Sequence, residues 1–297
     1  MPSTEIKDIL FIINPHSGRK NAEKLISEIK AFDKQITAII TENLEELDRA
    51  FKSNLEKYKV FVVAGGDGSV NEASKFLQNQ KDKILAIYPA GSGNGFAREF
   101  GFGKSIPTLI KDIIKGETVT VDVISVNDNT CINVAGLGFD SFVAHRFQLS
   151  ETRGLKNYII STLKSIFDFR PFYAEINTDI KKIKGNFQMI SIANTRQFGN
   201  NAFISPLSNP TDGFFEIVLI KPFPFYLYPS FVIKMFLGIL KESKYISYLK
   251  IKDSVEITSD YKKYHVDGEP KVFEKNITAK MLANKIRVLK TSNTRIN

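Results

Sequence analysis

Val60-Phe61-Val62-Val63-Ala64-Gly65-Gly66-Asp67-Gly68-Ser69-Val70-Asn71-Glu72 is the stretch that decides the fold. Its first half is apolar and β-branched, the composition of a strand buried on both faces of a parallel sheet. Gly65, Gly66, Asp67 and Gly68 then turn the chain, and Ala73, Phe76 and Leu77 follow at helical spacing. A strand, a glycine turn and a helix start make an anion site. Glycines let backbone N–H groups approach an oxyanion, and the helix N-terminus adds unpaired donors and partial positive charge. Asp67 is the odd residue there, because a carboxylate repels a phosphate. It fits if a divalent cation, or water held by one, lies between them. Taken alone, the stretch is explained equally well as a tight turn in which Asp67 caps the helix.

Working outward, the first part of the chain alternates. Residues 9–13, 36–40, 60–63 and 84–88 read as strands, and residues 22–32, 44–54 and 69–78 as helices. Strand–helix alternation with short connections predicts a parallel sheet covered on both faces, with ligands bound beyond the carboxyl ends of the strands. The polar and glycine-rich turns fall at those ends: Asn14-Pro15-His16-Ser17-Gly18, Thr41-Glu42-Asn43, residues 65–69 and residues 89–95. Four loops on one edge can serve one ligand. In Pro89-Ala90-Gly91-Ser92-Gly93-Asn94-Gly95-Phe96, three alternating glycines with Ser92 and Asn94 precede a helix starting near Phe96. That is a second phosphate or ribose loop.

Beyond Lys115-Gly116 the pattern changes. Strands are predicted at 118–126, 130–134, 173–176, 187–193, 214–220, 248–251, 255–258, 263–266, 277–281 and 286–289, with helices at 139–147 and 155–169. Many strands without alternating helices predict a β-sandwich. The fold class is therefore an N-terminal doubly wound, mainly parallel α/β domain over residues 1–122. A C-terminal β-sandwich domain follows over 123–284, and the tail 285–297 packs back on the first domain.

Composition narrows the partners. The 297 residues are 43% hydrophobic and 25% charged, ordinary for a globular chain long enough to bury one or two cores. The formal net charge of +9 favours an anionic partner, a nucleotide or an anionic membrane surface. The basic residues are dispersed, so nucleic acid is not expected. One cysteine, Cys131, excludes an intrachain disulfide, and His16, His145 and His265 have no zinc spacing. Residues 9–13 are too short for a signal peptide, and the apolar region 222–240 is broken by Pro224, Pro229 and Lys234. A cytoplasmic protein that visits a membrane surface is expected. The sequence leaves the oligomeric state open, a homodimer included.

With these motifs assembled, the chain resembles the diacylglycerol kinase catalytic-domain family, which includes bacterial lipid kinases and sphingosine kinases. Asn14-Pro15-x-Ser17-Gly18 matches its first motif and Gly65-Gly66-Asp67-Gly68-Ser69-x-Asn71-Glu72 its second, with Ser69 where Thr is usual. Gly91-Ser92-Gly93-Asn94 with Phe96-Ala97-Arg98 matches the third. Asn133-x-x-Gly136-x-Gly138-Phe139-Asp140, Asn209-x-x-Asp212-Gly213-Phe214 and Val266-Asp267-Gly268-Glu269 are similar to its later motifs.

The resemblance implies ATP-dependent phosphorylation of a lipid hydroxyl, with Mg²⁺. It places ATP against Thr41, the run Gly66 to Glu72, and Ser92. It implies that Asp67 holds catalytic Mg²⁺, often through water, and that Asp212, with backbone carbonyls of Asn209 and Phe214, holds a structural Mg²⁺. Glu269 aligns with a proposed general base. Gly95 stands where many bacterial relatives carry Asp, which brings sphingoid bases in as candidate substrates and Asp67 in as an alternative base. From the residues alone, Asp267-Gly268 and Asp212-Gly213 are also hairpin-turn sequences.

Two stretches bear on the lipid. Leu155, Tyr158, Ile159, Leu163 and Ile166 share one helical face, and residues 223–240 are aromatic-rich with one charge, Lys234. Either packs into the core or forms a lip for acyl chains or a membrane. Two other functions compete. One is a kinase of a soluble substrate, since NAD kinases share the GGDG turn. The other is a nucleotide-binding regulator that has lost catalysis.

Overall fold

The computed structural model describes residues 4–18, 22–148, 165, 168–179 and 181–294. The apolar runs form the strands expected of them. β1 (Ile9–Ile13), β2 (Thr37–Ile40), β3 (Val60–Gly65) and β4 (Ile84–Pro89) lie parallel in the order β2-β1-β3-β4. Every residue of β1, β3 and β4 is buried, as strands covered on both faces require. The C-terminal part of a later strand, β16 (Asn276–Leu289), joins this sheet parallel to β4 through Val288 and Leu85. With α1 (Ala22–Phe32), α2 (Leu44–Asn54), α3 (Asp67–Leu77), α4 (Gly95–Glu99) and α5 (Ile106–Lys115), these strands make one compact unit, residues 1–121 with 284–297.

Local chemistry sets the helix ends. Asn43 accepts the Glu46 N–H at 2.9 Å to start α2. Ser105 caps α5, proline occupies its first turn, and Gly116 at φ +71 ends it. Phe51 of α2 stacks on Phe61 of β3 at 5.1 Å and on Phe76 of α3 at 4.8 Å, seating both helices on the sheet. The strand order reverses between β1 and β3, since β2 lies on one side of β1 and β3 and β4 on the other. The loops after β1 and β3 therefore flank the switch point of the sheet, where doubly wound folds take ligands.

The second unit, residues 122–283, is antiparallel. One sheet runs β12 (Ile246–Ile251), β11 (Phe215–Ile220), β10 (Met189–Ala193), β7 (Val134–Gly138), β14 (Lys263–Val266), β15 (Glu269–Val272). Facing it, the first part of β16 pairs β13 (Ser254–Ser259), which pairs β8 (Phe172–Thr178), which pairs β9 (Lys182–Phe187). Leu137, Ile190 and Ile217 of one sheet and Ile176, Ile257 and Ile277 of the other lie in one buried core, the arrangement of a sandwich. β5 (Thr118–Val126) forms a hairpin with β6 (Asn129–Cys131); α6 (Phe139–Gln148) and α7 (Tyr228–Phe236) complete the described strands and α-helices.

Two expectations about elements need correction. The strand expected at 130–134 divides into β6 and β7, because the N–H groups of Ile132 and Asn133 donate to the Asp267 carboxylate instead of a ladder. The strands expected at 277–281 and 286–289 are one, kept extended through Asn284, whose side chain bonds Gln78 and Asn79. Residues 228–236, for which the sequence set no element, are helical, with Pro229 in the first turn where its missing N–H costs nothing. The helix expected at 155–169, with its apolar face, lies outside the described residues except for Ser165, Asp168 and Phe169.

Candidate active site

In the first unit, three turns that are far apart in sequence abut. The Asn14 amide donates to Ser69 Oγ at 2.9 Å, tying the loop after β1 to the glycine turn after β3. Gly18, at φ +80, presses on the loop after β4: a Cβ there would lie 2.1 Å from the Ala90 carbonyl oxygen. Gly65 receives both Ala90 N–H and Gly91 N–H on its carbonyl, at 2.9 and 3.3 Å. A Cβ on Gly91 would lie 2.6 Å from Gly66 Cα, so only glycine allows the two backbones to touch. Ser17 Oγ is 3.8 Å from the place of a Gly65 Cβ. Thr41 is buried at the end of β2, its N–H on the Ile13 carbonyl at 2.9 Å.

Asp67 opens α3 from this junction. The N-cap is Gly66, which has no side chain to cap the helix. The half-buried Asp67 carboxylate instead reaches the start of α4, where Oδ1 accepts the Phe96 N–H at 3.3 Å. Its Oδ2 faces Gly93, whose Cβ would stand 3.1 Å away. Asn94 leads into α4 in the left-handed conformation, φ +50. Its amide donates to the Gly91 carbonyl at 2.7 Å, while its buried Oδ1 has no hydrogen-bond partner among the described residues. A buried acceptor without a donor is costly, and a ligand hydroxyl or bound water at this spot would satisfy it. Arg98 Nε donates to the Gly93 carbonyl at 3.2 Å and holds the loop. Gly95 is buried as the first residue of α4.

The remaining first-unit candidates differ in exposure. Ser92 is exposed at the loop tip. Asn71 is buried on α3. Glu72 pairs with Lys75 at 2.5 Å, one turn along the same helix. Glycine-lined backbone, the start of α3, a carboxylate and an orphaned buried acceptor thus meet at the switch point. The donor set fits a polyphosphate with a cation held at Asp67.

In the second unit the later motifs have separate structural roles. Asp267 and Gly268, at φ +49 and +89, form the two-residue turn joining β14 to β15, as an Asp-Gly pair in a hairpin should. Asp267 is also buried. Its carboxylate accepts the N–H groups of Ile132 and Asn133, each at 3.0 Å, and the Cys131 thiol at 3.2 Å. Burial, reinforced by that carboxylate, pushes the Cys131 thiol pKa well up. Glu269 follows the turn and is exposed.

The same hairpin is braced by a pair that sequence reasoning passed over. Gly268 N–H donates to His265 Nδ1 at 3.3 Å, so the ring proton sits on Nε2, which faces Asp140 Oδ2 at 3.3 Å. Asp140 also takes the Ser141 N–H at 2.7 Å. Gly136 makes room for it, since a Cβ there would lie 2.1 Å from Asp140 Oδ2. The Gly136-x-Gly138-Phe139-Asp140 motif pointed to Asp140; nothing local pointed to its partner 125 residues later.

Asp212 lies in the loop before β11. Its Oδ1 accepts the Phe214 N–H at 3.0 Å, an Asx turn rather than the hairpin turn that Asp212-Gly213 also suggests. Its Oδ2 takes the Lys250 ammonium at 2.7 Å, and that ammonium also lies 4.6 Å from the Phe214 ring centroid. Asn209 Oδ1 is taken by Thr211, from both its N–H and its hydroxyl. As folded, the loop holds an internal cation where the resemblance implies Mg²⁺. A divalent ion there would have to displace that ammonium from Asp212 Oδ2, and the Asn209 carbonyl, which the resemblance adds to the set, accepts the Asp212 N–H at 3.4 Å. β11 and β15 are separated by three strands, so the start of β11 lies about 19 Å across the sheet from the start of β15.

Comparison with known proteins bears on the family and the fold. The family described as the diacylglycerol kinase catalytic domain matches residues 8–126, and the YegS C-terminal NAD kinase beta sandwich-like domain matches residues 133–290. A protein of Shewanella frigidimarina, whose name is "Probable lipid kinase YegS-like", is 31% identical, over 70% of this chain and 69% of its own. The solved structure of a diacylglycerol kinase from Bacillus anthracis superposes with a TM-score of 0.73 at 19% identity, covering 97% of this chain and 98% of that one. An NAD kinase from Archaeoglobus fulgidus in complex with ATP shares the fold at TM-score 0.57 and 12% identity, covering 96% and 95%.

Proposed function

This chain belongs to the diacylglycerol kinase family of lipid kinases, and from that premise we propose that it transfers the γ-phosphate of ATP to a hydroxyl of a lipid such as diacylglycerol or a sphingoid base. One observation carries it: the loops after β1, β3 and β4 abut at the switch point, with Asp67 at the junction. Phosphoryl transfer needs positioning and charge neutralisation more than covalent help. Backbone N–H groups of the glycine turn and the α3 start position the phosphates, and Asn94 Oδ1 accepts from a nucleotide hydroxyl. Mg²⁺ bound at Asp67 supplies the neutralisation. A carboxylate takes the proton from the attacking hydroxyl, Glu269 or Asp67 being the two bases that the resemblance implies.

The decisive variants are Asp67→Ala and Asp67→Asn, assayed with labelled ATP and a lipid extract. Both abolish label transfer to lipid while melting cooperatively near the wild-type temperature. Wild-type turnover in either removes Asp67 from the chemistry. The shared NAD kinase fold keeps a soluble acceptor as the competing outcome. Label entering NAD and not lipid would establish it, and nucleotide binding without any turnover would identify a regulator.

A further inference from the structure

Residues 221–241 read Lys-Pro-Phe-Pro-Phe-Tyr-Leu-Tyr-Pro-Ser-Phe-Val-Ile-Lys-Met-Phe-Leu-Gly-Ile-Leu-Lys, with three lysines and no acid. The segment is firmly seated. Phe223, Phe231 and Met235 pack on the buried cluster that includes Val134, Val218 and Ile220 of the six-stranded sheet. Phe223 also meets Tyr228 at 4.5 Å and Phe231 at 5.4 Å between ring centroids. The helix end is closed by Gly238 at φ +67, with Ile239 N–H on the Lys234 carbonyl at 3.0 Å and Gly238 N–H on that of Met235 at 3.1 Å.

The other face is the anomaly. Phe231 and Met235 point inward one turn apart, so the opposite side of α7 carries Ile233 and Phe236, and Leu237 follows as its C-cap. On a surface helix of a water-soluble domain that side is polar. Here Leu237 is 65% exposed and Ile233 58%, and beside the helix Tyr226 is 76% exposed and Phe225 57%. Six of the twelve large hydrophobic side chains exposed among the described residues fall in the stretch from Phe225 to Ile239, so they concentrate on this segment rather than scatter over the chain.

We propose that this face is a membrane-docking surface: the apolar side of α7 and the turn before it enter the headgroup boundary of an anionic bilayer, while Lys221, Lys234 and Lys241 meet its charge. Charge complementarity selects this occupant, because the segment carries lysine and no carboxylate. The docking rests on surface chemistry alone; only its purpose, delivery of a bilayer-resident substrate, rests on the lipid-kinase proposal.

The test is co-sedimentation of the full chain with vesicles of phosphatidylcholine, with and without phosphatidylglycerol. Wild type pellets with the anionic vesicles, less so as salt rises. The double variant Phe236→Ser, Leu237→Ser partitions more weakly on the order of tenfold or more, because two large apolar side chains no longer leave water. Lys234→Glu weakens binding to anionic vesicles only. Val272→Ser, on the far edge strand β15 and 70% exposed, binds as wild type. Wild-type partitioning by the double variant overturns the proposal. So does a wild-type dimer in gel filtration that the double variant abolishes, with neither protein binding vesicles, since the face then belongs to a second copy. Phosphorylation of a short-chain, water-dispersed diacylglycerol is measured in parallel. It is unchanged in all these variants, and its absence from wild type would sink the kinase proposal while leaving the vesicle result intact.

Discussion

Gly91→Ala tests the candidate site through backbone contact alone. Gly91 does not have the positive φ that would strain alanine, so the effect of the substitution is steric. The new Cβ would meet Gly66 Cα at 2.6 Å and Asn94 Oδ1 at 2.9 Å. Carbon atoms at rest sit about 3.5–4.0 Å apart, so the glycine turn and the loop after β4 must part by about 1 Å. Neither neighbour is a flexible side-chain end that can swing aside: one is backbone, and the other is held by its amide on the Gly91 carbonyl. Overpacking of this kind costs about 1–3 kcal/mol, which a domain of this size survives. A displacement of about 1 Å beneath the reacting phosphates costs on the order of a hundredfold in turnover.

The assay pairs calorimetric ATP titration with labelled phosphate transfer to a lipid extract, and thermal melts confirm folding. A graded control series sharpens it. Gly93→Ala places its Cβ 3.1 Å from Asp67 Oδ2, so only a small shift is needed and an intermediate loss follows. Gly103→Ala meets nothing within 4 Å among the described residues and is silent. ATP affinity and turnover at wild-type levels in Gly91→Ala would show that the abutting loops do not hold the nucleotide.

Three further outcomes follow from the second unit. Cys131 is fully buried against Asp267 with its thiol pKa raised, so the native protein leaves thiol reagents unreacted and takes up one equivalent only when denatured; rapid native labelling would contradict the packing. Glu216 has its pKa raised, first by burial, then by the Asp212 charge against the lowering bond from Ser208. The folded state therefore holds this proton more tightly than the unfolded state. Urea titrations should show wild-type stability falling as pH climbs from the ordinary glutamate value through the folded one, relative to Glu216→Gln, and parallel curves would refute it. Finally, Lys250→Gln removes the ammonium from Asp212 Oδ2, so the variant acquires a Mg²⁺-dependent rise in melting temperature that Asp212→Asn cancels; the same rise in wild type would mean that the lysine yields to the ion.

How far the sequence could be read depended on how local the cause was. Alternating apolar runs and loops fix the order of a parallel sheet's elements within a few residues of each part. Hence the strand, the glycine turn and the start of α3 were legible, and so were the loops after β1 and β4. The contact of Gly91 with Gly66 was not legible, but the glycines that permit it were. In the sandwich the causes are distant. Asp267 splits β6 from β7 by accepting N–H groups 135 and 134 residues earlier, and a local reading sees only an Asp-Gly turn. The proline that hid α7 is a helix breaker in the middle of a helix and a helix former in its first turn, and only the inward packing of Phe231 and Met235 decides between the two.

Three aspartates next to glycine show what separates a structural carboxylate from a chemical one. Asp267 is buried and bound by two backbone N–H groups and a thiol, donors that stabilise its charge and hold the turn behind Glu269. Asp212 spends one oxygen on its own turn and the other on Lys250. Asp67 is half-buried, reaches another helix start through Oδ1, and points Oδ2 at a glycine where any side chain would crowd it. Sequence gives all three the same turn chemistry. The difference lies in which donors the rest of the fold delivers, and only at Asp67 does it deliver the start of a helix, glycine backbone from two loops and an orphaned acceptor, Asn94 Oδ1, on the same edge. That edge is where a phosphate and its cation can be held together.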